Sequence, residues 1–124
     1  MIKRLVLTGA GLTLALALLA PSAGSVPDTT VLSLHASSTG SLRFNVRRLA
    51  AHHGLVKLVM RNPSSSGLDH GIAIEGRGVD KDGRTVAPGS TSAVSARLKP
   101  GRYTFYCPVP GHRAAGMKGT LVVS

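Results

Sequence analysis

The feature that most constrains this chain is a short run near its C-terminus that contains its one cysteine, a histidine and a methionine. Cys107, His112 and Met117 follow one another in a Cys-x4-His-x4-Met pattern. A thiolate, an imidazole and a thioether form a soft ligand set, which favours copper over magnesium, calcium or manganese. Proteins hold a copper ion for electron transfer with two histidines, one cysteine and a weak axial methionine. The run therefore offers three of four ligands, and we expect a second histidine from elsewhere.

The second histidine is predicted to be His70, which begins the alternating run His70-Gly-Ile-Ala-Ile. Side chains two residues apart on a strand project to the same face, so His70 points inward with Ile72 and Ile74. The other histidines are interpreted as a strand-face residue (His35) and as a solvated turn that can capture adventitious metal (His52 and His53).

The N-terminus predicts export. Lys3 and Arg4 precede an apolar run over residues 5–20 and the small-residue stretch 21–25. This order is typical of a secretory signal peptide, with an uncleaved membrane anchor as the alternative. We therefore predict a signal over residues 1–25 and one domain over residues 26–124, located in the periplasm, outside the cell or at the cell surface. A single cysteine in an exported chain forms no internal disulfide, so Cys107 is buried and inert, paired with another chain, or a metal ligand. The histidine and methionine that follow it favour the metal ligand.

The net positive charge of the chain indicates which kinds of molecule it can bind. The 124 residues carry a formal charge of +10, and without Lys3 and Arg4 there remain 13 basic and 5 acidic side chains, or +8. This excess can attract an acidic protein partner or an anionic membrane surface. Nucleic acid is disfavoured because aromatic residues are few and the basic residues are spread along the chain. Nothing in the sequence demands an oligomer, and we expect a monomer.

The hydrophobic pattern predicts an all-β chain. Alternating apolar residues bounded by Gly, Pro, Ser and Asp turns indicate about seven short strands, at residues 31–36, 42–46, 55–62, 70–74, 91–98, 102–107 and 119–124. Residues 47–54 are interpreted as a helical turn or loop, and residues 76–89 as a polar excursion. Short strands with almost no segment of helical period indicate an antiparallel β-sandwich.

Two segments carry a resemblance to a known family. Residues 106–123 resemble the C-terminal ligand loop of the cupredoxins, the type 1 blue copper proteins, and the Cys-x4-His-x4-Met spacing is closest to the rusticyanin-like branch of the rusticyanin, plastocyanin and azurin group. Residues 70–75 are similar to the segment that bears the first histidine. The resemblance implies a Greek-key antiparallel β-sandwich and one Cu(I)/Cu(II) ion held by His70, Cys107, His112 and Met117.

The resemblance also implies an electron-exchange surface and exposes one departure. His112 would lie nearest the surface, within an apolar docking surface for redox protein partners (Pro108, Val109, Pro110, Ala114 and Ala115). The family often places Asn or Ser after the first histidine, where it joins the two ligand segments. Gly71 stands there in this chain and offers no side-chain hydrogen bond. Residues around the ligands tune a metal, so this departure leaves the reduction potential open.

Two functions are compatible with these residues, and two other kinds of site are disfavoured. The first is a small exported carrier of single electrons that is not an enzyme, and the second is a protein that binds copper for delivery or storage. An enzymatic copper site is disfavoured because a dinuclear centre needs a second cysteine in the loop and multicopper oxidases need His-x-His clusters. A structural zinc site using the two histidines and the cysteine is disfavoured because methionine is a poor zinc ligand.

Overall fold

The computed structural model describes residues 9–19 and 28–124 of the chain. Residues 28–124 contain eight strands, which are β1 (Thr29–His35), β2 (Arg48–Ala51), β3 (Gly54–Arg61), β4 (Ala73–Gly76), β5 (Val79–Asp82), β6 (Thr91–Leu98), β7 (Gly101–Tyr106) and β8 (Lys118–Val123). The predicted all-β class and sandwich architecture are confirmed. The strand count is eight rather than about seven.

The strands form two sheets that pack face to face. One sheet has three strands in the order β1-β3-β6, and the other has five in the order β2-β8-β7-β4-β5. Most pairs are antiparallel, as predicted, but β1 pairs with β3 and β2 with β8 in parallel. In each parallel pair one strand, β1 or β2, lies at the edge of its sheet. The connections from β1 to β2 and from β2 to β3 cross between the sheets. The architecture is therefore a mixed rather than a purely antiparallel sandwich.

The core lies between the sheets and follows the period-2 alternation of the sequence. Strand β6 alternates exposed and buried residues along its whole length, and β3 buries Val56, Leu58 and Met60. Phe105 on β7 is the largest fully buried side chain. The centroid of its ring lies 5.7 Å from the ring centroid of Phe44. Strand β7 thus enters the ligand region from the middle of the larger sheet, where neighbours on both sides hold it in register.

Two edge strands differ from the sequence prediction. Residues 48–51, interpreted as a turn or loop, form β2, because the backbone of β8 supplies their hydrogen-bond partners. Residues 79–82 form β5, a largely exposed strand that, among residues 9–19 and 28–124, pairs only with β4. Conversely, the predicted strand at residues 42–46 is reduced to one bridge between Phe44 and Ala36. The alternation there correctly indicated burial of Phe44, but the backbone turns locally instead of extending.

The predicted signal segment lies largely outside the described residues. Residues 9–19 have no regular secondary structure, and their leucines are exposed. Across residues 9–19 and 28–124, no helix combines the length and the apolar character needed to cross a membrane.

Candidate metal centre

Three predicted ligands come together at the end of the sandwich where β7 finishes. Cys107 directly follows β7, and its amide donates to the carbonyl of Met117 at 3.1 Å, which closes the loop 107–117 at its base. His70 lies just before β4, where its N–H and C=O both bond to the backbone of Val86. Because β4 and β7 are paired neighbours, the segments that carry His70 and Cys107 run side by side. His112 reaches the same point from the loop.

The donor atoms form a compact triangle. His70 Nδ1 lies 3.2 Å from His112 Nδ1 and 3.8 Å from Cys107 Sγ, while Cys107 Sγ lies 3.6 Å from His112 Nδ1. A point inside this triangle lies about 2 Å from all three atoms, close to the ~2.0–2.3 Å bonds that d-block ions make with such donors. In the described part of the chain, these three residues are the one cluster of His, Cys or acidic side chains with metal-ligand spacing. The donor set fits a soft d-block ion.

Met117 is joined through its backbone to both of the other ligands that the loop supplies. Its side chain is fully buried in the core cluster that also contains Cys107, and its amide donates to the carbonyl of His112 at 3.1 Å. The loop 108–116 is held by further turn bonds, from His112 to Val109 and from Ala115 to Gly111. Gly111 and Gly116 have φ of 84° and 110°, a left-handed conformation that glycine adopts without strain. These hydrogen bonds and glycine conformations define the path of the loop backbone.

Gly71 joins the two ligand segments through its backbone. Its N–H points to Cys107 Sγ at 3.4 Å, so a hydrogen bond to sulfur exists without a side chain at this position. A Cβ on Gly71 would lie 3.1 Å from the carbonyl oxygen of Arg84 and 3.2 Å from the Pro108 ring. Glycine therefore lets Pro108, the neighbour of the cysteine, pack directly against the His70 segment.

Asn62 holds the backbone of the segments next to His70, a role that no sequence motif predicts. The side chain is fully buried, and its amide donates to the carbonyl oxygens of Leu68 at 2.8 Å and Val86 at 3.0 Å. Its Oδ1 accepts a hydrogen bond from Ser66 at 2.6 Å. Val86 is the residue whose backbone holds His70, so Asn62 supports this ligand indirectly. An asparagine at the end of an apolar strand was the available signal.

Burial and neighbouring charges shift the pKa values of two donors in the metal-free site. Burial lowers the pKa of His70, with a smaller lowering from His112 and an opposing effect of Asp69. Burial raises the pKa of the Cys107 thiol, while hydrogen bonds from the amides of Gly71 and Val109 act in the opposite direction. His70 is therefore held neutral and Cys107 protonated, so that metal binding must release the thiol proton. Nε2 of His70 is buried without a hydrogen-bond partner among the described residues.

The two histidines differ in exposure. His70 is fully buried, whereas His112 is half-buried, so His112 is the donor closer to solvent. The predicted docking residues around it are half-buried (Pro108 and Val109) or exposed (Pro110, Ala114 and Ala115). The remaining histidines stay outside the cluster, and the rings of His52 and His53 both contact Ser124 instead.

Comparison with known proteins identifies the family. The family model of copper-binding proteins of the plastocyanin/azurin family matches residues 32–124. The chain therefore belongs to this family, its cofactor is copper, and His70, Cys107, His112 and Met117 are arranged as a type 1 copper site. No curated protein sequence matches the chain significantly.

Solved structures with the same fold include auracyanin B, rusticyanin and a copper nitrite reductase. Auracyanin B is 23% identical with a TM-score of 0.67, covering 81% of this chain and 91% of its own. Rusticyanin from Thiobacillus ferrooxidans is 18% identical with a TM-score of 0.59, covering 80% and 79%. The copper nitrite reductase of Nitrosomonas europaea is 21% identical with a TM-score of 0.63, covering 77% of this chain but 41% of its own. At these identities the likeness concerns the fold.

Proposed function

We propose that this chain is an exported electron carrier that passes single electrons between redox partners and catalyses no reaction of its own. The proposed ligands of its one type 1 copper ion are His70, Cys107, His112 and Met117. The observation that carries the proposal is the triangle of two imidazole nitrogens and one sulfur with edges of 3.2–3.8 Å, built on segments joined by hydrogen bonds.

The residues around the donors suit electron transfer. Bound copper supplies the Cu(I)/Cu(II) couple. The Cys107 backbone is fixed by Met117, and its sulfur by the amide of Gly71. Loop 108–116 forms turns of its own, so the donors keep their positions with little help from a metal. A carrier needs this property, because a site that changes little between oxidation states requires little reorganisation.

The half-buried His112 is the proposed point of electron exchange. Pro110, Ala114 and Ala115 are exposed close to it in the chain and offer a small apolar surface for a redox partner. The excess of basic over acidic side chains, 15 against 5 in the full chain, favours an acidic partner protein or an anionic membrane surface. We propose that the protein acts as a monomer and without nucleic acid.

Export to the periplasm or cell surface is proposed from the basic and apolar N-terminus over residues 1–25. The mass of the protein recovered from its native compartment tests the assignment. A mature chain that begins at Val26 supports a cleaved signal, whereas an intact N-terminus in the membrane fraction supports the anchor.

The second candidate function, copper delivery or storage, uses the same donors. Rates of redox exchange and of copper transfer distinguish it from electron transfer. The copper-loaded protein is cycled with a small-molecule reductant and oxidant in a stopped-flow instrument, and copper transfer to a competing chelator is followed separately. We expect rapid, repeatable redox cycles with the copper retained. Slow redox exchange combined with rapid transfer to the chelator would reject the carrier in favour of delivery.

A further inference from the structure

Arg113, the residue after His112, contacts two other segments that carry ligands. Its Nη1 and Nη2 donate to the two carboxylate oxygens of Glu75 at 2.8 and 3.3 Å. Glu75 lies on β4, five residues after His70. The guanidinium also lies over the ring of Tyr106, 4.1 Å from its centroid, and Tyr106 directly precedes Cys107. The Arg113 side chain thus connects segments that carry three proposed copper ligands, His70, Cys107 and His112.

Tyr106, over which the Arg113 guanidinium stacks, is held firmly in the larger sheet. The backbone of Tyr106 pairs with Ala73 on β4 and with Lys118 on β8. Its side chain is 9% exposed, and its hydroxyl donates to Asp82 on β5 at 3.4 Å. The backbone hydrogen bonds of residues 108–116, in contrast, have partners within the loop or at the adjoining Cys107, Met117 and Lys118. Arg113 therefore ties a self-contained loop to the rigid sheet.

We propose that Arg113 is a positioning residue, which holds the loop and the imidazole of His112 in place by its paired hydrogen bonds to Glu75 and its stacking on Tyr106. This contact is a second connection between the His70 and His112 segments, in a chain whose Gly71 offers no side chain for that purpose. The planar guanidinium is required, because a lysine ammonium can neither form the two parallel hydrogen bonds nor stack in the same way. The copper-dependent part of this proposal rests on the proposed function.

A positioning role differs from a purely stabilising one in what it changes. The ion pair is partly exposed, with side-chain exposures of 41% and 44%, and such pairs contribute little to the global free energy of unfolding. Its removal should therefore affect the ligand loop more than the sheets. Residues that orient metal ligands often change metal affinity by about 10- to 100-fold when replaced.

The first experiment measures the rate at which the copper-loaded protein loses copper to excess chelator. We expect Arg113→Lys, Arg113→Gln and Glu75→Gln each to lose copper about tenfold faster than the parent protein. The double variant Arg113→Gln/Glu75→Gln should be no faster than Arg113→Gln alone, because Arg113→Gln already removes the contact with Glu75. Arg97→Gln is the control, since it breaks the ion pair between Arg97 on β6 and Asp28, which precedes β1, and we expect the parent rate.

The second experiment needs no copper. Amide hydrogen exchange of the metal-free protein reports loop opening, and Arg113→Lys should accelerate exchange at His112, Ala115 and Gly116 about tenfold while leaving β3 amides such as Leu58 unchanged. Parent-like exchange at these loop amides and parent-like copper loss in the Arg113 and Glu75 variants would overturn the proposal. If the parent protein binds no copper, the proposed function fails, but hydrogen exchange still decides whether Arg113 holds the loop.

Discussion

The backbone N–H of Gly71 lies 3.4 Å from Sγ of Cys107 and joins the two halves of the metal centre across 36 residues of sequence. The contact depends on close packing, because Gly71 fits between the carbonyl oxygen of Arg84 and the ring of Pro108. A glycine that seemed to remove a link between the ligand segments therefore provides one through its amide.

Replacing Gly71 should disturb this contact through the Pro108 ring. In Gly71→Ala the new Cβ would lie 3.1–3.2 Å from Arg84 and Pro108, so we expect a loss of about 1–3 kcal/mol of unfolding free energy. The sulfur-to-copper absorption band should also shift, because Pro108 is bonded to the cysteine ligand. Denaturant unfolding and absorption spectra measure the two effects. Adding Pro108→Ala should restore part of the stability, and a single variant indistinguishable from the parent would contradict the packing argument.

Asn62 should be important for both stability and copper affinity. Asn62→Leu removes one of two donors from each of the carbonyls of Leu68 and Val86, which keep their hydrogen bonds from Ser66 and His70. It also removes the acceptor of the Ser66 hydroxyl, and we expect a loss of about 1–3 kcal/mol of unfolding free energy. Copper affinity should fall as well, because Val86 holds the backbone of His70. Denaturant unfolding and chelator competition measure these changes. Asn45→Ala is the control, because its hydrogen bond to the His35 amide is exposed and water can replace it, so we expect a smaller loss.

The metal-free protein should lose stability as the pH falls below 6.5. Burial lowers the pKa of His70 from its ordinary value of 6.5, so the unfolded chain takes up a proton at a higher pH than the folded chain. The favourable contribution of neutral His70 is complete above pH 6.5 and is lost as the pH falls toward the folded-state pKa. Thermal unfolding across this range should have a shallower pH dependence in His70→Gln. An equal dependence in both proteins would assign the effect to other groups.

A substitution of Met117 should distinguish its contribution to core packing from its contribution to copper coordination. Met117→Leu nearly conserves the buried volume, so the metal-free protein should lose less than about 1.5 kcal/mol. The thioether donor is lost, and because the more highly charged Cu(II) depends more on electron donation, the reduction potential should rise. Voltammetry and denaturant unfolding distinguish the two contributions. An unchanged potential would mean that Met117 only fills the core.

The sequence predicts the ligand residues, because their identity follows from the spacing of residues that are close together in the chain. Cys107, His112 and Met117 lie within one loop, and the alternation around Ile72 and Ile74 correctly placed His70 inside. Strand β2 was missed because its pairing comes from β8, about 70 residues later in the chain. The contacts of Arg113 with Glu75 and of Gly71 with Cys107 also depend on the packed sheets, since their partners lie 38 and 36 residues away.

Optical and electron paramagnetic resonance spectra of the copper-loaded protein test the central claim most directly. Thiolate coordination in a trigonal His2Cys site predicts an intense blue absorption and a small copper hyperfine splitting, both lost in Cys107→Ala and in His70→Ala. His52→Ala, outside the donor cluster, should retain both. A colourless copper adduct, or a blue colour that survives in Cys107→Ala, would contradict the assignment of this loop as the copper site.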